Sequence, residues 1–262
     1  MNSTLSAVAD VLWEAEKILF ITGAGLSADS GLPTYRGVGG LYEGQDTEEG
    51  ISIEDALSGL MLSMNPALTW KYLWQIGVAC RGATFNRGHE VIAEIERWKP
   101  NTWVLTQNVD GLHRSAGSQN LIEVHGRASE LYCVDCSYKT TAQELLGGYS
   151  HPISLPPRCP TCGGLIRPDV VLFGEFLSQK TVAAMQHLMN TRMDLVFIIG
   201  TSGAFPYITQ PVQTACITGI PTVEINPTKT ALSEIVDYRL ESTAADTLNQ
   251  LWSIVQQRIG LK

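Results

Sequence analysis

The chain predicts an α/β fold, a doubly wound parallel sheet joined to a smaller domain, and two patterns predict it. First, four short runs read as strands: Lys17–Thr22, Asn101–Thr106, Leu195–Ile199 and Thr222–Ile225. Each is nearly continuous in apolar residues, as suits strands buried on both faces of a parallel sheet. Second, helical stretches such as His89–Trp98 and Leu177–Asn190 separate them, and strand–helix alternation builds doubly wound sheets. Ahead of the first strand, Leu5, Val8, Ala9, Leu12 and Trp13 fall at helical spacing, which predicts an amphipathic helix. At roughly 150 residues per domain, 262 residues suit one large domain with a smaller module inserted.

Composition excludes several classes. Hydrophobic residues make up 44% and charged residues 17%, too apolar for a disordered chain. Lys and Arg number 18 against 26 Asp and Glu, a net charge of −8, which argues against nucleic acid as a partner. The longest apolar run, Leu195–Gly200, falls far short of the roughly 18–20 residues of a membrane span. The first ten residues carry no Lys or Arg and so lack the basic region of a targeting segment. The expected location is the cytoplasm, with no membrane partner.

Four of the six cysteines are ordered by spacing. Cys133 and Cys136 form one CxxC pair, Cys159 and Cys162 a second, with 22 residues between the pairs. Two such pairs predict one tetrahedral zinc site, since each short turn presents two thiolates to one metal. Four thiolates fill the shell, so the ion is expected to be structural rather than catalytic. Cys80 and Cys216 stand alone and are expected to be buried spectators.

The strand ends carry the chemistry. Ligands of open α/β sheets bind beyond the carboxyl ends of the strands. Here those ends read Gly23-Ala24-Gly25-Leu26-Ser27, Gln107-Asn108, Gly200-Thr201-Ser202 and Asn226-Pro227. Glycines let backbone approach phosphates, and amide or hydroxyl side chains suit ribose. The first loop alone is equally a tight turn, because Ala28 stands where a dinucleotide fingerprint has its third glycine. Four polar ends together favour a nucleotide. The loop continues through Ser30-Gly31-Leu32-Pro33-Thr34-Tyr35-Arg36-Gly37, too rich in Gly and Pro for a long helix. Arg36 either pairs with a pyrophosphate or is solvated.

At this point the residues resemble a family. Gly23–Arg36 is similar to the sirtuin cofactor loop, and Thr106-Gln-Asn-Val-Asp-Gly-Leu-His113 resembles its TQNxDxLH motif. His125-Gly126 resembles its catalytic pair, Arg167–Glu175 its substrate segment, and Gly200–Ser202 and Ile225-Asn226 its later cofactor motifs. The resemblance runs in order from about Ala15 to Leu248. It implies an NAD-dependent protein lysine deacylase. The implied fold is a Rossmann-type domain (1–36, 85–130 and 168–262) with a smaller domain made of a helical lobe (37–84) and a zinc-ribbon module (131–167). NAD and an acyl-lysine peptide would meet in the cleft between them. Products would be free lysine, nicotinamide and O-acetyl-ADP-ribose.

The same resemblance implies roles. His125 would be the general base, a suitable one because unperturbed imidazole titrates near 6.5; His113 is its rival. Gln107, Asn108 and Asp110 would hold the ribose and the carboxamide, with Asn108 and Asp110 close to the chemistry. Gly23, Ala24, Gly25, Ser27 and Arg36 would hold the diphosphate, with Pro33 and Tyr35 in the same loop. Gly200, Thr201, Ser202 and Asn226 would contact the adenosine half, and Ala244 its base. Val170 to Glu175, with Val171, Phe173 and Gly174, should form a strand to which an extended peptide adds. Phe173 would flank the lysine chain.

One branch of the family reads acidic acyl groups with a Tyr-x-x-Arg pair. Here those positions fall on Leu73 and Ile76, and Tyr72 is one residue off register. A carboxylate buried there would lack its charge-assisted partner. Acetyl and longer apolar groups are therefore expected over succinyl or malonyl. Two departures touch the cofactor site: Tyr35 stands where the family has Phe, and Gly203–Pro206 reads one residue short. The competing readings are a protein mono-ADP-ribosyltransferase and a non-enzymatic NAD-sensing protein.

Overall fold

A computed structural model describes residues 2–33, 47–150 and 153–260. Its strands, in chain order, are β1 (Lys17–Thr22), β2 (Asn101–Thr106), β3 (Leu121–Glu123), β4 (Gly126–Cys133), β5 (Lys139–Thr141), β6 (Ile166–Val170), β7 (Leu195–Ile199), β8 (Thr222–Ile225) and β9 (Tyr238–Leu240). Six form one sheet in the order β3-β2-β1-β7-β8-β9, with every pairing parallel. Counted within the sheet, that is the 3-2-1-4-5-6 order of the doubly wound dinucleotide fold. The order reverses between β1 and β7, and ligands of such sheets bind at that point.

The four predicted strands carry their predicted bounds. Alternation explains their apolar runs. Ile18 and Phe20 of β1 face one core with Val104, Phe197 and Val223, while Leu19 and Ile21 face a second with Leu105 and Ile198. The first core is closed by the helices Asn2–Glu14, Arg87–Trp98 and Ala244–Gly260 through residues such as Leu5, Val8, Leu12, Ile92, Leu248 and Val255. The second is closed by Gln179–Met189 and Pro206–Ile217. Phe20 and Phe197 stack at 4.8 Å across β1 and β7. The helix expected from Leu177 starts at Gln179, because the Ser178 hydroxyl accepts from the Thr181 N–H as its N-cap.

A second, antiparallel sheet has the order β5-β4-β6. It shares a core with the helical segment before it. Trp70, from the helix Pro66–Cys80, is fully buried among Leu131, Cys133, Leu146 and Ile166. Its indole N–H donates to the Ile166 carbonyl at 2.8 Å, tying helix to sheet. The smaller domain thus joins a cysteine-bearing sheet to a helical lobe.

Two expectations need correction. Val170 is the last residue of β6, and 171–175 is not a strand; only an isolated bridge joins Phe173 to Ser58. The chain turns back there because Gly174 takes φ +79° and the Glu175 N–H donates to the Leu172 carbonyl. Cys80 and Cys216 are half-buried rather than buried. No helix among the described residues is long and apolar enough to cross a membrane.

Candidate active site at the strand ends

The loops after β1 and β7 touch backbone to backbone. The Gly23 N–H donates to Ile199 and the Gly25 N–H to Gly200, at 3.0 and 2.8 Å. A Cβ on Gly25 would lie 2.6 Å from the Gly200 Cα, and one on Gly200 would lie 2.5 Å from the Leu26 nitrogen. Gly200 also takes φ +58°, so both positions require glycine.

Side chains from the other strand ends lock onto this contact. Asn108 donates through Nδ2 to the Gly23 carbonyl and the Ser27 hydroxyl, both at 3.1 Å. Ser27 in turn donates to the Asp110 carboxylate at 2.6 Å. Gln107 reaches across to the Thr201 hydroxyl at 2.8 Å, and Asn226 to the Thr201 carbonyl at 3.2 Å. One hydrogen-bonded net therefore contains residues from all four predicted strand ends. Ala24 belongs to the short helix Ala24–Ala28 beside it, and Ser202 is exposed. Ala244 is packed in the first core with Ile225 and Leu240. Pro33 ends the first described stretch, and Tyr35 and Arg36 lie outside the described residues. The donor set fits a dinucleotide: glycine backbone without side chains in the way, amides and hydroxyls for ribose, and one carboxylate near a cationic ring.

His125 sits between β3 and β4, at the edge of this net. Its Nδ1 lies 3.0 Å from the Gln107 carbonyl, which can only accept, so Nδ1 carries the proton. Nε2 is then the basic nitrogen, and the Tyr207 hydroxyl donates to it at 2.8 Å. Burial pushes the imidazole below its ordinary value, against the bond to Gln107, and keeps it a neutral base at pH 7. Gly126 must follow, because at φ +80° a Cβ there would lie 2.0 Å from the Asp169 carbonyl. His113 is differently placed. It is fully buried against the sheet, its Nε2 is 2.9 Å from the Thr22 hydroxyl, and burial drives its titration well below the usual range.

The segment after β6 faces the same region. The Val171 N–H donates to the His125 carbonyl at 2.9 Å, the Phe173 N–H to Leu57, and the Gly59 N–H to Phe173. Glu175, expected among the substrate residues, spends its carboxylate on structure: Arg167 grips both oxygens at 2.7 and 2.8 Å, and the Leu172 N–H adds a third bond at 2.9 Å. Phe173 packs in one apolar cluster with Leu57, Leu73 and Ile76. Leu73 and Ile76, the two positions singled out in the sequence, both carry apolar side chains in this cluster. Tyr72 is buried with its hydroxyl on the Glu49 carboxylate, and Lys71, the cation of that helix, pairs with Glu48 and Glu49 at 2.6 Å each.

The four paired cysteines converge. Their sulfurs all lie within 4.8 Å of one another, with Cys133–Cys162 at 3.5 Å and Cys136–Cys159 at 3.7 Å. Zn–S bonds of about 2.3 Å in a tetrahedron require sulfur separations of roughly 3.8 Å, so the set fits a zinc ion. The Asp135 and Gly164 N–H groups donate to Cys133 and Cys162 at 3.4 Å each, which spreads thiolate charge.

Sequence reasoning missed Tyr207 altogether. The only hint was the irregular Gly203–Pro206 stretch just before it, which gave no reason to single out the tyrosine.

Together these features define a dinucleotide-using enzyme of the doubly wound class, with a neutral histidine beside the nucleotide cleft and a closed metal module at a distance. A sequence profile of the Sir2 family matches residues 23–205. The NAD-dependent protein deacylase 2 of Pseudomonas aeruginosa is 50% identical over 255 residues, covering 96% of this chain and 97% of that protein. Its namesake in Pseudomonas syringae pv. tomato is 49% identical over 247 residues, covering 94% and 98%. Among solved structures, a Sir2 homolog–NAD complex aligns at TM-score 0.82 with 30% identity, covering 97% of this chain and 94% of that one. A Sir2–p53 peptide–NAD+ complex aligns at 0.81 with 27% identity, covering 98% and 99%. The chain belongs to the Sir2 family.

Proposed function

We propose that this protein removes acetyl and longer apolar acyl groups from lysine side chains of proteins or peptides, and disfavours succinyl and malonyl groups. The chain is an NAD-dependent protein deacylase, and NAD and one structural zinc ion are its cofactors. On our reading the products are free lysine, nicotinamide and O-acetyl-ADP-ribose. The free cysteines suit a reducing compartment, and we place the protein in the cytoplasm.

The observation that carries the reading is His125: a neutral imidazole, its tautomer set by a backbone carbonyl, between the polar strand ends and the 171–175 segment. NAD, when bound, supplies an activated glycosidic carbon. The chain's part is to place groups around it. Nε2 of His125 takes the proton of a hydroxyl that must become a nucleophile, a task worth roughly 10²–10⁴-fold. Gln107, Asn108, Thr201 and Asn226 would exchange bonds of the resting net for bonds to ribose hydroxyls, and Asp110 would supply the negative charge for a cationic ring. Backbone at Val170–Gly174 pairs with an extended peptide, and Phe173 flanks the lysine stem.

Acyl choice rests on the cluster of Leu73, Ile76 and Phe173. An acidic acyl group there would bury a carboxylate without a cation, at a cost of about 10²-fold or more. Matched turnover assays with acetyl-lysine and succinyl-lysine peptides test this, with His125→Ala beside both. Nicotinamide release with the acetyl peptide alone, lost in the variant, is the expected result. Efficient desuccinylation would mean that another residue reads the carboxylate. ADP-ribose added to protein with no deacylation would overturn the deacylase reading.

A further inference from the structure

We infer that Tyr207 is a positioning residue for the general base: its hydroxyl holds Nε2 of His125 in the reactive orientation before substrate binds, yields the lone pair to the substrate hydroxyl, and accepts a hydrogen bond from the Nε2–H after transfer. The inference rests on the assignment of His125 as that base.

Nδ1 donates to the Gln107 carbonyl at 3.0 Å, and the Tyr207 oxygen lies 2.8 Å from Nε2. The two bonds act on opposite corners of the ring, so together they set both its tautomer and its rotation. Aromatic contacts close the remaining freedom. Phe205 meets the imidazole edge-on at 5.6 Å, Tyr207 at 6.1 Å, and the two aromatic rings stack on each other at 5.3 Å and 12°. Tyr207 is in the first turn of the helix Pro206–Ile217, so its ring is carried by a regular element rather than a loop.

A hydroxyl differs from a fixed donor because it can reverse. While the imidazole is neutral, the phenol O–H donates to Nε2. The Nε2 lone pair holds one donor at a time, so the substrate hydroxyl first displaces the phenol O–H, which turns to another acceptor; once Nε2 has taken the proton and the new nucleophile has left, the phenol oxygen accepts from the Nε2–H. No bond to hydrogen in the phenol has to break. The protonated imidazole is otherwise a half-buried cation, and a charge-assisted bond is the stronger of the two. Tyr207 therefore favours the proton-bearing state of the base more than the neutral one.

Other charged groups around the ring are engaged elsewhere. Glu123 lies with Arg114 and Arg127, Asp110 with Ser27 and the Leu112 N–H, and Glu175 with Arg167; Asp169 is exposed on β6 across from Arg127. Among the described residues Tyr207 is the titratable side chain bonded to the imidazole.

The test is Tyr207→Phe, which keeps the stacked ring and removes only the hydroxyl, beside Tyr207→Ala, which removes both. NMR titration of the His125 imidazole in the free protein reads the contact without any turnover. The expected result for Tyr207→Phe is a lower imidazole pKa, an acid limb of the kcat/KM profile moved to lower pH, and kcat down about 10-fold, within the range a base can supply. KM for NAD and for the acetyl peptide should stay within about 2-fold. A purely structural role predicts wild-type titration and kcat in Tyr207→Phe with a defect in Tyr207→Ala alone, and that result overturns the inference. If the wild-type protein turns over neither peptide, the deacylase reading fails, while the titration still decides whether the hydroxyl governs the imidazole.

Discussion

The two sheets of this molecule are built by different means. The six-stranded sheet is buried on both faces: β1 has five consecutive buried residues and every residue of β7 and β8 is buried. The antiparallel sheet has only two buried residues in the eight of β4, and its small core draws on Cys133 and Cys159 themselves. Burial of apolar area at roughly 25 cal/mol per Å² is enough to hold the first. The second has too little area and relies on four thiolates around a metal. One region is legible in a sequence as apolar runs, the other as cysteine spacing.

The largest effect should come from breaking the second region alone. Cys159→Ser should abolish zinc binding and remove on the order of 10 kcal/mol of folding energy from the module. Circular dichroism should then show a separate, early transition, with the helical and parallel-sheet signal persisting to higher temperature. A single transition at the wild-type temperature would mean that the module does not depend on its metal.

Next in size, His125→Ala should cut turnover by about 10²–10⁴-fold with little loss of thermal stability, since the imidazole belongs to neither apolar core of the parallel sheet. A stability loss matching that of a core residue would place His125 in the structure instead of the chemistry.

The parallel-sheet side has its own polar weak point. His89 is fully buried, and burial holds its imidazole down from 6.5 to about 4. Between those values the unfolded chain binds a proton that the native state does not. The stabilisation from keeping His89 neutral is full above pH 6.5 and is lost as the pH falls through about 4, on the order of 3 kcal/mol. Urea midpoints from pH 7 to pH 4.5 should fall accordingly, and the slope should shrink in His89→Asn. Equal slopes in both proteins would remove His89 as the cause.

The smallest effect probes the seam within the smaller region. Trp70→Phe loses the bond to the Ile166 carbonyl and should cost about 1–2 kcal/mol. That loss should appear in the early transition of the Cys159→Ser comparison, not in the unfolding of the parallel sheet.

Much of this was readable beforehand, and the exceptions have physical causes. Strands buried on both faces show as unbroken apolar runs, so β1, β2, β7 and β8 were plain. β3 and β9 are three-residue edges, and Leu121-Ile-Glu and Tyr238-Arg-Leu are too short to show a period. Val170-Val-Leu-Phe reads as a strand by the same logic that found β1. It departs from one because Arg167 and the Leu172 N–H fasten Glu175 back onto the segment. The strand-end residues were legible because polar groups follow apolar runs at all four places. Tyr207 was not, since its meaning depends on a partner 82 residues away.

The grip of Arg167 on Glu175 has a consequence for assays. Ile166, beside Arg167, pairs with Cys133, so the cysteine cluster, β6 and the turn at Gly174 form one continuous mechanical linkage. Withdrawing the metal loosens the anchor of the very turn on which we place the peptide. A chelator that halts turnover would thus imitate the inhibition of a metalloenzyme, although the ion takes no part in bond making. It should raise KM for the peptide first, while NAD still binds.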